Sequence, residues 1–97
     1  MATKKATVRH VIVRTYSAGV HYGTFVDRRG KEVDLTHARR LWSWKGANTL
    51  HEIALRGVAA GSRVSEPVAR ITLTEAIEII DCADEAIANL DSASWEK

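Results

Sequence analysis

The sequence predicts an α+β protein built on a small, strongly curved antiparallel sheet, and three observations support this fold class. Apolar and β-branched side chains alternate with polar ones through residues 8–35, which is typical of β-strands. Glycine-containing turns interrupt the alternation twice, so the strands are short and follow one another directly. After Gly46 the apolar spacing becomes helical. The predicted order is β-β-β-α-β-α, either as an open curved sheet or as a small closed barrel.

Three strands are predicted in the first part of the chain, at residues 8–16, 20–27 and 31–35. Gly30, in the turn before the third strand, supplies the positive φ that a tight hairpin needs. Gly23 lies inside the second strand, where a glycine indicates a bulge, a sharp bend or the close approach of another segment. Residues 36–45 are predicted to be extended, which would place the two indoles of this segment on one face. A helix over residues 37–44 is the alternative.

A helix is predicted to begin at Leu50, because the apolar residues that follow recur at helical spacing. Thr49 and Glu52 match a capping box, in which each side chain satisfies a backbone N–H group of the first turn. Gly57 or Gly61 would end this helix. Its apolar stripe consists of Leu50, Ile53, Ala54, Gly57 and Val58.

The last third is predicted to contain strand followed by helix, after a loop over residues 59–67. Residues 68–80 form one long strand or two strands with a bend, since apolar residues alternate on both sides of Glu75. A helix from Thr74 onward also fits the apolar pattern, but the β-branched residues favour a strand. A terminal helix is predicted over residues 82–90, with Asp81 as its N-cap and with Asp84 and Glu85 in its first turn.

Length and composition indicate one soluble domain. The chain has 97 residues, of which 45% are hydrophobic and 27% are charged, as in ordinary globular proteins. So short a chain has a thin core, which a homo-oligomer would supplement. One cysteine, no signal peptide and no apolar run of membrane-spanning length favour a cytoplasmic protein without membrane contact. The domain is predicted to span residues 1–97, with residues 1–7 as a flexible arm and residues 92–97 as a tail in which Trp95 docks.

The sequence contains no recognisable motif for catalysis, a metal or a cofactor. The histidines lack the spacing of metal ligands, and no phosphate-binding loop, dinucleotide fingerprint or nucleophile elbow occurs. Cys82 lies among acidic and apolar residues, which raise the pKa of a thiol and weaken it as a nucleophile. We therefore expect a protein that is not an enzyme and that uses neither cofactor nor metal.

Charge is divided unevenly along the chain. Residues 1–63 carry twelve Lys/Arg against four Asp/Glu, a net charge of +8. Residues 64–97 carry two against eight, a net charge of −6. A basic surface for an anionic partner would produce this division, and so would an acidic segment packed on a basic one, within or between subunits.

Arginines are interleaved with aromatic residues between residues 14 and 45. This pattern suits a ligand with a phosphate and a ring, because guanidinium groups bind phosphate bidentately and aromatic side chains stack on bases. The tryptophans have an alternative role in the core or in a subunit interface. The predicted ligand-binding residues are Arg14, Tyr16, His21, Tyr22, Arg39, Arg40, Trp42, Trp44 and Lys45, and the same pattern includes Arg28, Arg29 and Lys31.

Two resemblances concern these stretches. The runs VIVRTYSAGV (residues 11–20), ARRLWSWKGA (38–47) and ITLTEAIEII (71–80) resemble a family of short, uncharacterised proteins of tailed bacteriophages and prophages. That resemblance implies an accessory protein in the cytoplasm of the bacterial host and brings no activity with it. The run GVHYGTFVD (19–27), followed by VDLTHA (33–38), is similar to the meander of Sm-like and other SH3-like barrels. In this chain, however, the helix follows the third strand, whereas in Sm-like proteins it lies at the N-terminus.

Together these features favour a non-catalytic phage accessory protein that forms a homo-oligomer and binds an anionic ligand. A nucleotide-type signal or a component of host defence is the expected ligand, since removing either would act against the host. An alternative is a protein-interaction or virion-related structural module, whose aromatic residues meet a host or virion protein. A second alternative is a nucleic-acid-binding module that uses the basic segment.

Overall fold

Six strands form one antiparallel sheet, and two helices pack on it, in the computed structural model, which describes residues 8–93. The predicted arm and the end of the predicted tail, including Trp95, lie outside the described residues. The elements are β1 (His10–Thr15), β2 (Val20–Arg29), β3 (Glu32–Ser43), α1 (Leu50–Arg56), β4 (Arg63–Val64), β5 (Val68–Leu73), β6 (Ala76–Asp81) and α2 (Asp84–Ser92).

The sheet curves strongly but does not close into a barrel. Its strands lie in the order β4-β3-β2-β1-β6, and β5 pairs with β3 along the same edge as β4. β3 is long enough for both, because its end pairs with β4 and its residues 33–38 pair with β5. A short turn joins β5 to β6 although they lie on opposite edges, and no ladder connects them within residues 8–93. The small antiparallel sheet is confirmed, and the closed SH3/Sm-like barrel is wrong.

The element order differs from the predicted one in the last third. The break at Thr74 and Glu75 divides residues 68–81 into β5 and β6, so the two-strand interpretation is correct and the helical one is wrong. The two-residue strand β4, inside the predicted loop, was not expected because it is too short to show alternation. The observed order is β-β-β-α-β-β-β-α. The extended interpretation of the segment after Leu35 is confirmed as far as Ser43.

β1 is buried on both of its faces. Ile12 packs in a cluster with Ile53 of α1 and Leu90 of α2. Val11 and Val13 point the other way, into a second cluster that the first half of β3 and β5 form as the sheet curves over β1. All three side chains are fully buried, and each contributes roughly 1.5–3 kcal/mol through the hydrophobic effect. β1 therefore anchors both the helices and the curved half of the sheet.

α1 begins and ends where Thr49 and Gly57 predict, whereas the predicted aspartate cap of α2 does not form. The Thr49 hydroxyl accepts a hydrogen bond from the N–H of Glu52, and α1 ends at Gly57 with a positive φ of 84°. The predicted cap Asp81 is instead the last residue of β6, where it pairs with Arg9. Asp81 belongs to the β1–β6 ladder, opposite Val11, and α2 begins after Ala83 without a side-chain cap.

A bulge in β3 decides which face its later side chains occupy. The β2–β3 register shifts by one residue between the pairs Tyr22–Arg39 and Thr24–Thr36. His37 lies in this shift and has a positive φ of 50°, as a residue in a bulge can. Leu35 before the bulge and Ala38 after it consequently lie in the same buried cluster, although they are three residues apart. From Ala38 onward the alternation of β3 is reversed.

Gly23 lies opposite this bulge, which confirms the predicted close approach. A Cβ atom on Gly23 would lie 3.1 Å from the carbonyl oxygen of Thr36 and 3.2 Å from the Cα of Ala38. Because both are backbone atoms held by the ladder, the strands must separate to accept it. We expect Gly23→Ala to lower the free energy of unfolding by about 1–3 kcal/mol in urea denaturation. An unchanged unfolding midpoint would show that the bulge adapts without cost.

Asp34 is a buried carboxylate that connects β2, β3 and β5. It accepts hydrogen bonds from Arg29 at 3.0 Å, from Arg70 at 2.9 Å and from the hydroxyl of Thr72 at 2.7 Å. The hydrogen bonds from Arg29 and then from Thr72 lower the pKa of Asp34 to about 2, against an ordinary value of 3.8. A depressed carboxyl pKa stabilises the fold above the ordinary value, and this stabilisation is lost as the pH falls through the depressed one.

We expect Asp34→Asn to lower the melting temperature at neutral pH. The difference from the unmodified protein should shrink as the pH falls from 3.8 to about 2, because Asp34 itself then becomes neutral. Thermal melts across this pH range measure the effect. Asp27→Asn is the matched control, since Asp27 also binds Arg29 but is exposed, so its loss should cost less. Equal shifts for both variants would contradict the special role of Asp34.

Candidate functional site

Arg39 holds α2 against β3 through hydrogen bonds to backbone carbonyls. It is only 8% exposed. Its Nη1 donates to the carbonyl oxygens of Leu90 (2.7 Å) and Asp91 (3.1 Å), its Nη2 donates to the carbonyl of Ala93, and its Nε donates to that of Ser65 (2.8 Å). The carbonyls at the end of a helix lack partners within it, and a positive charge there complements the helix dipole. Arg39 is therefore a structural clamp.

Tyr22 is a core residue that reaches a cleft between the sheet and the end of α2. Its ring is buried, and its hydroxyl donates to Oδ1 of Asp91 at 2.8 Å. Burial, then the hydrogen bond to Asp91, raise the pKa of Tyr22, so the hydroxyl stays a protonated donor. His10 stacks on the ring with centroids 6.1 Å apart. The cleft has a volume of about 420 Å³, and Arg39 and His37 also line it.

Trp42, near the end of β3, and Trp44, just beyond it, lie in different surroundings. The pairing of β3 with β4 shifts between Leu41 and Ser43, so a second bulge interrupts the alternation. As a result Trp44 packs against the same core cluster as Leu41, although the two are three positions apart. Trp42 stays at the surface, 58% exposed, and the guanidinium of Arg63 lies 5.5 Å from the centre of its ring. The expectation that both indoles share one face is therefore wrong.

A groove of about 300 Å³ lies on the side of β3 that Ala38 faces, away from the helices. Arg40 and His21 line it and are directly opposite each other in the β2–β3 ladder. The backbone N–H of Arg40 donates to the hydroxyl of Ser65 at 2.8 Å. Its guanidinium is exposed and has no hydrogen bond or ion pair to any side chain or backbone group of residues 8–93. The groove therefore presents an uncompensated positive charge.

His21 is the buried neighbour of that charge. It is 2% exposed, and its Nε2 lies 3.0 Å from the carbonyl oxygen of Ala18. Burial lowers the pKa of His21, the bond to Ala18 opposes this effect, and the charge of Arg40 lowers the pKa further. The imidazole is therefore neutral near physiological pH.

The remaining predicted residues lie at separate places on the surface. Arg14 pairs with Val20 and Glu78 on the face of β1 that carries Ile12, which is the helix side. Tyr16 is 78% exposed and lines another cleft, of about 690 Å³, near the β5–β6 turn. Lys45 is exposed after the end of β3.

The hairpin that joins β2 to β3 neutralises most of its own charge. Arg29 forms ion pairs with Asp27, Glu32 and Asp34. The Nε of Arg28 donates to the carbonyl oxygen of Gly30 at 2.9 Å. Lys31 is exposed, at the cleft that Tyr16 lines. The basic pattern from residue 14 to 45 thus divides into paired, buried and accessible groups, and it does not form one surface.

Arg40 and His21 are the predicted residues that the fold brings together in an accessible groove, with Trp42 two residues further along β3. Arg63 and Ser65 also belong to this region, and the sequence analysis did not select them. Their place depends on β4, which pairs with the end of β3 and has only two residues. No periodic signal marks so short a strand.

The described residues give little support for a reactive cysteine, a metal site or a membrane-spanning helix. Burial, followed by the charges of Asp81 and Asp91, raises the pKa of Cys82 to about 12, which disfavours the reactive thiolate. Within residues 8–93 no group of three or more His, Cys, Asp or Glu side chains lies close enough together to hold a metal ion. Neither helix of this part of the chain is long and apolar enough to cross a membrane.

The geometry defines a small α+β protein with a strongly curved antiparallel sheet and an arginine-bearing groove opposite its helices. The chain belongs to the family described as a domain of unknown function, DUF6948, whose model matches residues 8–90. No curated protein and no solved structure matches the chain. The expected membership of an uncharacterised family is thereby confirmed.

Proposed function

We propose that this protein is a non-catalytic binding protein for a small anionic ligand, and that the groove between Arg40 and His21 is its site. The observation that carries the proposal is the free guanidinium of Arg40, which lines the groove and has no partner within residues 8–93. The guanidinium groups of Arg9, Arg29 and Arg70, in contrast, form ion pairs with carboxylates. An exposed guanidinium is available for bidentate binding of phosphate or carboxylate.

The size and lining of the groove support a small ligand. A volume of about 300 Å³ lies at the lower end of the usual range for small-molecule sites. Its walls are mostly apolar, through Ala38, Val68 and Ile71, while the polar groups are few and lie together. This is the usual composition of a site that orients one charged group of a ligand.

Trp42 and Arg63 favour a ligand that also carries a ring. The indole of Trp42 is largely exposed, and Arg63 lies over it in a cation–π arrangement. Exposed indoles and guanidinium planes both stack on nucleobases. A nucleotide-type signal would offer its phosphate to Arg40 and place its base near Trp42, whose ring already contacts Arg63.

The biological setting that we propose is a tailed phage or prophage, in the cytoplasm of its bacterial host. A small binding protein, assembled as a homo-oligomer, would there sequester a nucleotide signal of host defence. The resemblance of the three sequence runs supports this setting. Native mass spectrometry of the protein purified from cells tests the oligomer and the ligand together, because a co-purified molecule adds a discrete mass.

A thermal-shift series tests the binding itself. A ligand at about 100 times its Kd stabilises a folded protein by about 2.7 kcal/mol, which raises the melting temperature. We expect one nucleotide class to do so and double-stranded DNA not to. Stabilisation by DNA that disappears steeply with added salt would instead support the nucleic-acid alternative. The absence of stabilisation by every nucleotide and every simple oxyanion would contradict the proposal.

A protein-interaction module is the second candidate, and exposed apolar side chains favour it. Tyr16 is 78% exposed and Ile77 is 52% exposed, and both line the cleft near the β5–β6 turn. Large apolar groups that share an exposed cleft are typical of protein interfaces. Tyr16→Ser should then abolish capture of a specific partner but leave nucleotide stabilisation unchanged, whereas Arg40→Ala should do the reverse.

A further inference from the structure

We infer that the groove takes a doubly charged oxyanion, of the kind that a phosphate monoester carries, and that His21 gains a proton when this anion binds. The inference rests on the proposed function, because it concerns the same groove. It goes further by specifying the charge of the anion and by predicting that binding depends on pH.

The hydrogen bonding of His21 identifies the nitrogen that would gain the proton. Nε2 lies 3.0 Å from the carbonyl oxygen of Ala18, and a carbonyl only accepts, so Nε2 carries the hydrogen of the neutral ring. Nδ1 is then the basic nitrogen. It has no hydrogen-bond partner within residues 8–93, yet no fully buried side-chain nitrogen or oxygen there lacks a partner. Nδ1 is therefore not fully buried, and His21 is one of the residues that line the groove.

Within residues 8–93, one charged side chain lies next to His21. Arg40 is the charged side chain that faces it, from β3. β1 places Val13 directly opposite, and the loop before β2 contributes the carbonyl of Ala18. The other groups that line the groove are uncharged, namely Ala38, Ser65, Val68 and Ile71. No carboxylate within residues 8–93 is thus placed to stabilise a protonated His21, and a bound anion would fill that role.

A dianion fits this arrangement better than a monoanion. Arg40 provides one positive charge, which suffices for a phosphodiester or a carboxylate. The second negative charge of a monoester is balanced only if the neighbouring imidazole also becomes positive. In the free protein, burial and the charge of Arg40 oppose protonation of His21. An anion in contact with both Arg40 and His21 would instead favour the protonated imidazole.

The expected direction of the pH effect follows from linkage. Because the anion raises the pKa of His21, binding takes up a proton, and affinity is higher at low pH. It declines as the pH rises through the pKa of His21 in the complex. A shift of about one pKa unit corresponds to a roughly tenfold difference in affinity between the two pH limits.

An NMR titration of the full chain with sodium sulfate tests this inference. Sulfate remains a dianion throughout the titration range of imidazole, so any pH dependence comes from the protein. We expect saturable shifts of groove resonances and a pKa of His21 that rises by about one unit or more. Sodium chloride at the same ionic strength should not produce this change, and the monoanion dimethyl phosphate should produce a much smaller one. His10, His37 and His51 serve as internal references.

His21→Gln supplies the matched variant, because the amide of glutamine lies nearest to the position of imidazole Nε2, which contacts the carbonyl of Ala18. It should bind sulfate with an affinity that no longer varies with pH. A constant pKa of His21 in the presence of saturating, Arg40-dependent sulfate binding would overturn the inference and leave the proposed function standing. If sulfate shifts no groove resonance beyond the chloride control, the inference fails, and the proposed function fails with it only if the nucleotides of the thermal-shift series also give no stabilisation.

Discussion

Arg39→Met is expected to lower the free energy of unfolding by roughly 3 kcal/mol or more, because one buried and three partly buried carbonyls lose a charged donor at once. Methionine fills similar apolar space but donates nothing to the carbonyl oxygens of Leu90, Asp91 and Ala93 at the end of α2. The bond from Nε to Ser65 is lost as well. Urea denaturation, followed by circular dichroism, measures the change.

The adjacent arginine provides the control for this prediction. Arg40→Met makes the same chemical change one residue away, where the side chain is exposed and unpaired within residues 8–93. It should alter the free energy of unfolding by less than about 0.5 kcal/mol. Arg39→Lys should fall in between, since it keeps the charge but loses the planar fork that reaches several carbonyls. Similar free energies of unfolding for the two methionine variants would contradict the structural role of Arg39.

Arg40→Glu is expected to weaken binding of AMP by about tenfold to a hundredfold, the range for losing a charge-assisted hydrogen bond. AMP is the probe because it combines a phosphate monoester with a ring. The reversed charge also repels the phosphate, so the effect should persist at moderate salt. Isothermal titration calorimetry on the folded variant measures the affinity.

Arg14→Glu is the matched control for this charge reversal. Arg14 is exposed like Arg40, but it lies on the helix side of the sheet. The net charge changes equally in both variants, so a general electrostatic effect would weaken binding equally. We expect Arg14→Glu to change the affinity for AMP by less than about twofold. Equal losses in the two variants would place the binding site somewhere other than the groove.

The sequence predicted the early strands well because local signals there agree with the tertiary structure. β1 and β2 begin and end within two residues of their predicted bounds, and α1 follows its cap at Thr49 and its stop at Gly57. The break between β5 and β6 was one of three interpretations of the residues around Glu75. The sequence left the choice between an open sheet and a closed barrel undecided, because closure depends on whether β5 and β6 pair, and local spacing does not determine that.

The candidate site was only partly predictable, for a reason that the neighbouring arginines illustrate. Alternation in a strand implies that Arg39 and Arg40 point to opposite sides, but it does not say which side the helices cover. The bulge at His37 decides this, and no glycine or proline marks it within β3 itself. Gly23 on the partner strand was the one local signal, and its meaning became clear only from the pairing of the two strands.

The same limit applies to the tryptophans. Strict alternation predicts that Trp42 and Trp44 share a face, and the bulge before Ser43 prevents it. Arg63 reaches the indole of Trp42 because the short strand β4 pairs with the end of β3. Contacts of this kind arise from tertiary pairing between distant segments, and neither composition nor periodicity encodes them.

Chemical-shift mapping of the unmodified protein with AMP tests the location of the site most directly. If Arg40 and His21 form an anion site, saturable shifts should concentrate in residues 18–21, 40–42 and 63–71, while the exposed helix surfaces and Arg14 remain unaffected. Shifts centred on the cleft around Tyr22 and Asp91, or on that around Tyr16 and Ile77, would show that AMP binds elsewhere and that the guanidinium of Arg40 is not its binding group.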